Sequence, residues 1–239
     1  VLFTPKYVKN ENAVIVFFHG GGYCFGSSLT THRLGVSLMA KITGITCYSV
    51  DYRLAPEHPY PAALDDAMLA YQDIVSKNHD SRIILAGDSA GGGLSLALMM
   101  KLREEGGRMP DDAVLFSPWS DLTCQGESFV TKSKVDPMFT QSMLRDCSHY
   151  YAPEGVDKTN PYISPAHGDF SGLPRCLILC GGQEILLSDS EDLANKAAAA
   201  GIDVELSIWP TMFHDWWLFG QFIPETRQCL TKVSLWLGN

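Results

Sequence analysis

Ser89 is the residue of this chain best placed for nucleophilic chemistry. It sits in Gly87-Asp88-Ser89-Ala90-Gly91, between an apolar run over 82–86 and a small-residue, apolar segment over 92–100 that reads as a helix. Glycines two before and two after the serine permit a sharp strand-to-helix turn that lifts the hydroxyl clear of its neighbours, with a helix N-terminus beneath it. Gly-x-Ser-x-Gly alone is a weak pattern, so the strand before it and the helix after it carry much of the reading.

A hydroxyl near neutral pH is a poor nucleophile until a base takes its proton and a third group orients that base. On such a turn the partners follow in the order Ser, acid, His, from the C-terminal ends of later strands. His214, in Thr211-Met212-Phe213-His214-Asp215-Trp216 just after an apolar run ending near Trp209, is where the base is expected. His19, His32, His58 and His79 precede Ser89, and His149 and His167 fall in a stretch without clear strands. Two carboxylates compete for the acid in the loop after 176–180. Glu184 occupies a loop position, whereas Asp189 stands where a helix N-cap or first-turn acid is expected, so Glu184 is favoured. The tetrahedral intermediate of acyl transfer needs donors for its oxyanion. His19-Gly20-Gly21-Gly22 supplies closely approachable backbone N–H groups, and Gly21, Gly22 and the N–H of Ala90 form the expected oxyanion hole. The triplet lacks the ending of a phosphate-binding loop and the spacing of a dinucleotide fingerprint. His19 is read as fixing this loop, not as a base.

These residues need strands to hold them and helices to cover the strands. Short apolar runs at 13–18, 45–50, 83–86, 113–116, 176–180 and 204–209 alternate with helix-like segments at 32–43, 63–77, 90–105, 189–200 and 222–237. The alternation predicts an α/β fold, a doubly wound and mostly parallel sheet. Residues 121–174 break the pattern: they contain no clear strand, carry five prolines, and read as an insertion over the sheet edge with a helical piece at 140–151 that could cover a pocket. Tyr23, Phe25, Trp119 and Trp216 are expected to line that pocket. Trp217 and Phe219 serve equally well to pack the last helix on the sheet.

The 239 residues fit one large domain, with 46% hydrophobic and 19% charged residues, as in ordinary globular chains. A net charge of −9 argues against nucleic acid or an anionic membrane as partner and suits a small neutral substrate. Seven cysteines without repeated Cys-x-x-Cys spacing argue against a disulfide framework or structural zinc and for a reducing, cytoplasmic compartment. No stretch approaches the ~20 apolar residues of a membrane span, and no signal peptide opens the chain.

With these pieces assembled, the chain strongly resembles the hormone-sensitive lipase family of α/β-hydrolases from about residue 13 onward. The resemblance rests on His19-Gly20-Gly21-Gly22, Asp51-Tyr52-Arg53-Leu54-Ala55-Pro56-Glu57, Gly87-Asp88-Ser89-Ala90-Gly91-Gly92 and Ser117-Pro118 with Asp121-Leu122. It implies carboxylic ester hydrolysis without metal or organic cofactor, by Ser89, Glu184 and His214, on short acyl esters, and in a possible homodimer. It also implies that the segment from Asp51 is mainly structural. Two departures stand out. The acid loop reads Glu184-Ile185-Leu186-Leu187-Ser188-Asp189 where many relatives have Asp-Pro-Leu-x-Asp, and the helical cap that precedes the first strand in relatives is largely absent. An amidase or formamidase would use the same triad. A ligand receptor of this fold would lack the catalytic histidine, which this chain retains.

Overall fold

The computed structural model describes residues 1–238. Six parallel strands and one antiparallel edge strand form a single sheet: β1 (Leu2–Phe3), β2 (Ala13–Phe18), β3 (Thr46–Val50), β4 (Arg82–Asp88), β5 (Asp112–Phe116), β6 (Arg175–Gly181) and β7 (Val204–Trp209). Their spatial order is β1-β3-β2-β4-β5-β6-β7, with only β1 antiparallel. β2, β4, β5 and β6 are buried almost throughout, which is why they read as continuous apolar runs and not as alternating ones.

Helices cover both faces. α1 (Arg33–Thr43) and α7 (Pro224–Trp236) lie on one side, while α2 (Ala62–Lys77), α3 (Ser89–Glu105) and α6 (Leu187–Ala199) lie on the other. Two apolar layers result. Phe17, Ile84, Phe116, Trp216, Trp217 and Leu230 belong to the first, and Val16, Leu85, Leu94, Leu98, Trp119 and Ile178 to the second. α3 is buried on nearly every side and so lacks an amphipathic stripe.

At the N-terminal ends of the strands, Asp112 is buried between two arginines, its carboxylate oxygens 2.5 Å from Arg82 Nε and 2.5 Å from Arg175 Nε. Arg82 also donates to the Leu237 carbonyl at 2.7 Å and so ties the end of α7 to the same point.

The chain between β5 and β6 carries α4 (Glu127–Thr131) and α5 (Gln141–Tyr151) and no strand, as expected. Leu144, Cys147, Ser148 and Tyr151 of α5 face inward. Three features differ from the sequence reading. β1 is too short for a periodic signal, and α4 is a single turn with no apolar repeat. The segment after β7 forms a 3-10 stretch, Trp216–Phe222, before α7 begins at Pro224, where proline's fixed φ suits a first helical turn.

Candidate active site

Because β2 to β7 run parallel, their C-terminal ends share one edge, and the loops leaving β2, β4, β6 and β7 converge there. Ser89 stands at the β4–α3 junction with φ +50°, a left-handed conformation costly for a residue with a side chain. The junction closes only because its flanks are bare. A Cβ at Gly91 would lie 2.0 Å from the Phe18 carbonyl oxygen. Ser89 is 1% exposed, and its Oγ has no hydrogen-bond partner among the described residues. Buried hydroxyls are nearly always paired, so this one calls for a functional reason.

His214 and Glu184 are both fully buried. Glu184 Oε2 accepts hydrogen bonds from Ser117 Oγ at 2.7 Å and from the Gly181 N–H at 2.6 Å. Those two donors aim its other oxygen, Oε1, at His214 Nδ1, 3.4 Å away. Asp189, the competing carboxylate, points elsewhere. Its Oδ2 accepts from the backbone N–H groups of Ser120 at 2.9 Å and Asp121 at 3.0 Å, so it braces the chain leaving β5. Burial pushes the Asp189 carboxyl up to about 7.

The other ring nitrogen of His214, Nε2, lies 3.0 Å from Asp215 Oδ2 in an ion-pair contact that is out of line with the ring N–H. Asp215 is itself buried, has φ +53°, and lies close enough to Asp88, the residue before Ser89, for the two carboxyls to shift each other's pKa. Burial opposes a charge on His214, but the carboxylates of Asp215 and Glu184 outweigh it and raise its pKa well above 6.5. Burial pushes the Asp215 carboxyl up to about 7.

Behind the serine, Asp88 Oδ2 accepts from His32 Nε2 at 2.9 Å and Oδ1 accepts from the Gly20 N–H at 2.9 Å. Burial acts against the Asp88 charge, yet His32 holds its carboxyl below the usual carboxylate range. For His32 too, burial is outweighed by Asp88, and the ring's pKa is raised. The glycine loop is thereby fastened to the elbow. Its next turn closes through Cys24 N–H and Phe25 N–H, which donate to the Gly21 carbonyl at 2.9 and 3.0 Å. Gly21 has φ +112°, and a Cβ there would lie 2.0 Å from the Phe25 carbonyl oxygen. The N–H groups of Gly21 and Gly22 enter no hydrogen bond among the described residues, and that of Ala90 is one of those a helix start leaves unpaired. His19 Nδ1 contacts the Gly20 carbonyl at 2.7 Å, its ring stacks on Tyr52 at 4.5 Å, and Tyr52 Oη donates to the His19 carbonyl at 2.6 Å. The segment from Asp51 thus serves as a prop for the glycine loop.

The pocket residues expected from sequence fare unevenly. Phe25 is exposed, and its ring lies 6.3 Å from that of Phe139, which stands edge-on to His214 at 5.1 Å. Tyr23 and Trp119 are fully buried, and Tyr23 stacks on Tyr151 of α5 at 3.8 Å. Trp216 is not brought to the site: it is fully buried in the layer beneath α1 and α7, 5.9 Å from Trp209. Sequence reading missed Phe139, Ser117, Asp215 and the Asp88–His32 pair. Ser117 and Asp88 lay inside motifs already singled out. Phe139 carried no signal, since it sits in the strandless segment just before α5.

A family profile described as the alpha/beta hydrolase fold matches residues 15–218. The chain is similar to an acetyl-hydrolase of Streptomyces hygroscopicus, 36% identical over 98% of this chain and 79% of that protein. A crystal structure of a hormone-sensitive lipase from a metagenome library superposes with a TM-score of 0.91 at 44% identity, over 95% of this chain and 78% of that one. The structure of EstE5 soaked with p-nitrophenyl butyrate superposes with a TM-score of 0.90 at 38% identity, over 95% and 76% of the two chains.

Proposed function

Because this chain belongs to the hormone-sensitive lipase family of α/β-hydrolases and is a carboxylic ester hydrolase, we propose that Ser89, His214 and Glu184 cleave small, short-acyl esters by way of an acyl-enzyme. The observation that carries this reading is the buried, unpartnered Ser89 hydroxyl on its strained turn. His214 Nε2 takes the Ser89 proton as Oγ attacks the ester carbonyl, and Glu184 steadies the imidazolium through Nδ1. The N–H groups of Gly21, Gly22 and Ala90 receive the oxyanion. The imidazolium protonates the departing alcohol, and water then releases the acid by the same route. For the first step Nε2 has to exchange its contact with Asp215 for one with Ser89 Oγ. A short acyl group is supported by the aromatic edge of Phe139 beside His214 and by the acetyl-hydrolase relative.

Hydrolysis of p-nitrophenyl esters from acetyl to palmitoyl, by the wild type and Ser89→Ala, tests the reading. Turnover is expected to peak at short chains and to fall by about 10⁴-fold or more in the variant, on the scale of triad deletions. Activity that survives Ser89→Ala, or that grows with chain length, would overturn it.

A further inference from the structure

The Cys24 side chain, two residues beyond Gly22 and only half-buried, meets Cys147 of α5. Cys24 Sγ lies 3.9 Å from the Cys147 carbonyl oxygen, and the two thiols sit close enough for each to shift the other's pKa. The pair is 123 residues apart in sequence, so no local turn brings it together. Cys147 also presses on the glycine loop, since a Cβ at Gly22 would lie 2.8 Å from its sulfur. The stacked rings of Tyr23 and Tyr151 hold the same two segments in register beside it.

We propose that Cys24 and Cys147 are an oxidation site, converted by a peroxide to a disulfide that ties the oxyanion turn to α5 and slows ester turnover. The Cys147 thiolate attacks one peroxide oxygen, the O–O bond breaks, and hydroxide leaves to give a sulfenic acid. The Cys24 sulfur then attacks the Cys147 sulfur and displaces the hydroxyl, which departs as water with the Cys24 proton. In sum, two thiols and one hydrogen peroxide become one disulfide and two waters, the sulfurs losing the two electrons that the peroxide gains.

Contact with Cys24 lowers the Cys147 pKa while Cys24 is raised, so the first attack is assigned to Cys147. In the other five cysteines burial pushes each thiol up, Cys124 and Cys176 to about 12, whereas Cys147, though also buried, is lowered by its contact with Cys24. A disulfide holds its sulfurs about 2.05 Å apart, much closer than two unbonded thiols, so closing it draws Cys24 toward α5. Gly21 and Gly22 are in the same tight turn, and displacements of about 1 Å in catalytic groups can cost on the order of 100-fold.

The full chain is treated with hydrogen peroxide, alkylated under denaturing conditions, and mapped by peptide mass spectrometry alongside Cys24→Ser and Cys147→Ser. The wild type is expected to lose two free thiols to a Cys24–Cys147 bridge. Its kcat for p-nitrophenyl acetate is expected to fall about tenfold and to recover with dithiothreitol, while Cys24→Ser forms no bridge and instead yields a dimedone adduct on Cys147. Retention of all free thiols, a bridge between other cysteines, or an equal reversible loss of activity in Cys24→Ser would overturn the proposal. A Cys24–Cys147 bridge with unchanged kcat would overturn its link to turnover. The thiol count does not depend on Ser89 chemistry, so failure here and failure of the esterase mechanism are separable.

Discussion

His214 bears a carboxylate at each ring nitrogen, Glu184 at Nδ1 and Asp215 at Nε2, and this sets its acid–base behaviour. An unperturbed histidine titrates near 6.5, whereas here the pair of anions holds the ring protonated to higher pH. The base form therefore predominates only above the raised value, and kcat/KM is expected to rise along a limb lying above pH 6.5. The same shift contributes stability that is fully present below the unfolded pKa and is lost as pH climbs through the folded one. Asp215→Asn removes the charge beside Nε2, so the activity limb should move to lower pH; a pH–rate profile unchanged from wild type would show that Asp215 does not govern the base. For the proposed triad acid, Glu184→Gln is expected to cut kcat by about 10³-fold or more. Asp189→Asn should leave kcat within about tenfold and instead lower stability in urea, because Asp189 braces Ser120 and Asp121. A loss of turnover confined to Asp189→Asn would transfer the role.

The strand-to-helix junction between β4 and α3 shows how an element can be shaped around a single atom. Its left-handed serine is tolerable only while the neighbouring backbone can pack against glycine, and Gly91 touches the end of β2 through the Phe18 carbonyl. Gly91→Ala is expected to destabilise the fold by about 3 kcal/mol, as overpacking of a rigid interior does, and to depress kcat by moving Ser89. Equilibrium unfolding in urea measures the first effect and steady-state hydrolysis the second; an alanine variant as stable and active as wild type would refute the packing argument. The elbow pattern was legible in sequence because it is local, its five residues and the apolar runs on either side all lying within 82–100. Phe139 was not. Its place against His214 depends on how the chain between β5 and β6 folds back over the strand ends, which no periodicity in that stretch records.

Across the whole molecule, the strand ends that carry Ser89, Glu184 and His214 are opposed by an ionic clamp at the other ends of the strands. Asp112 joins Arg82 and Arg175 beneath β4, β5 and β6, and both arginines reach the carbonyls at the end of α7. Removing one member strands charge in a partly buried site, so Asp112→Asn is expected to cost about 2–3 kcal/mol. The cost should appear as a lower urea midpoint with kcat at neutral pH little changed; a midpoint equal to wild type would mean the clamp is idle. No helix among the described residues is long and apolar enough to cross a membrane. The alternation of the six longer strands with the main helices, the Ser89 elbow, the Gly21–Gly22 loop and the loop carrying His214 were legible in sequence alone, since each rests on neighbours in the chain: apolar runs, glycine freedom and position after a strand. Tertiary structure alone decided that Ser117 and Gly181 aim Glu184 at His214, that Asp215 meets both His214 and Asp88, that Trp216 packs beneath the sheet, and that Cys24 meets Cys147. These contacts join separate loops, and which atoms meet depends on chain path and side-chain rotamer, quantities that short-range propensity does not encode.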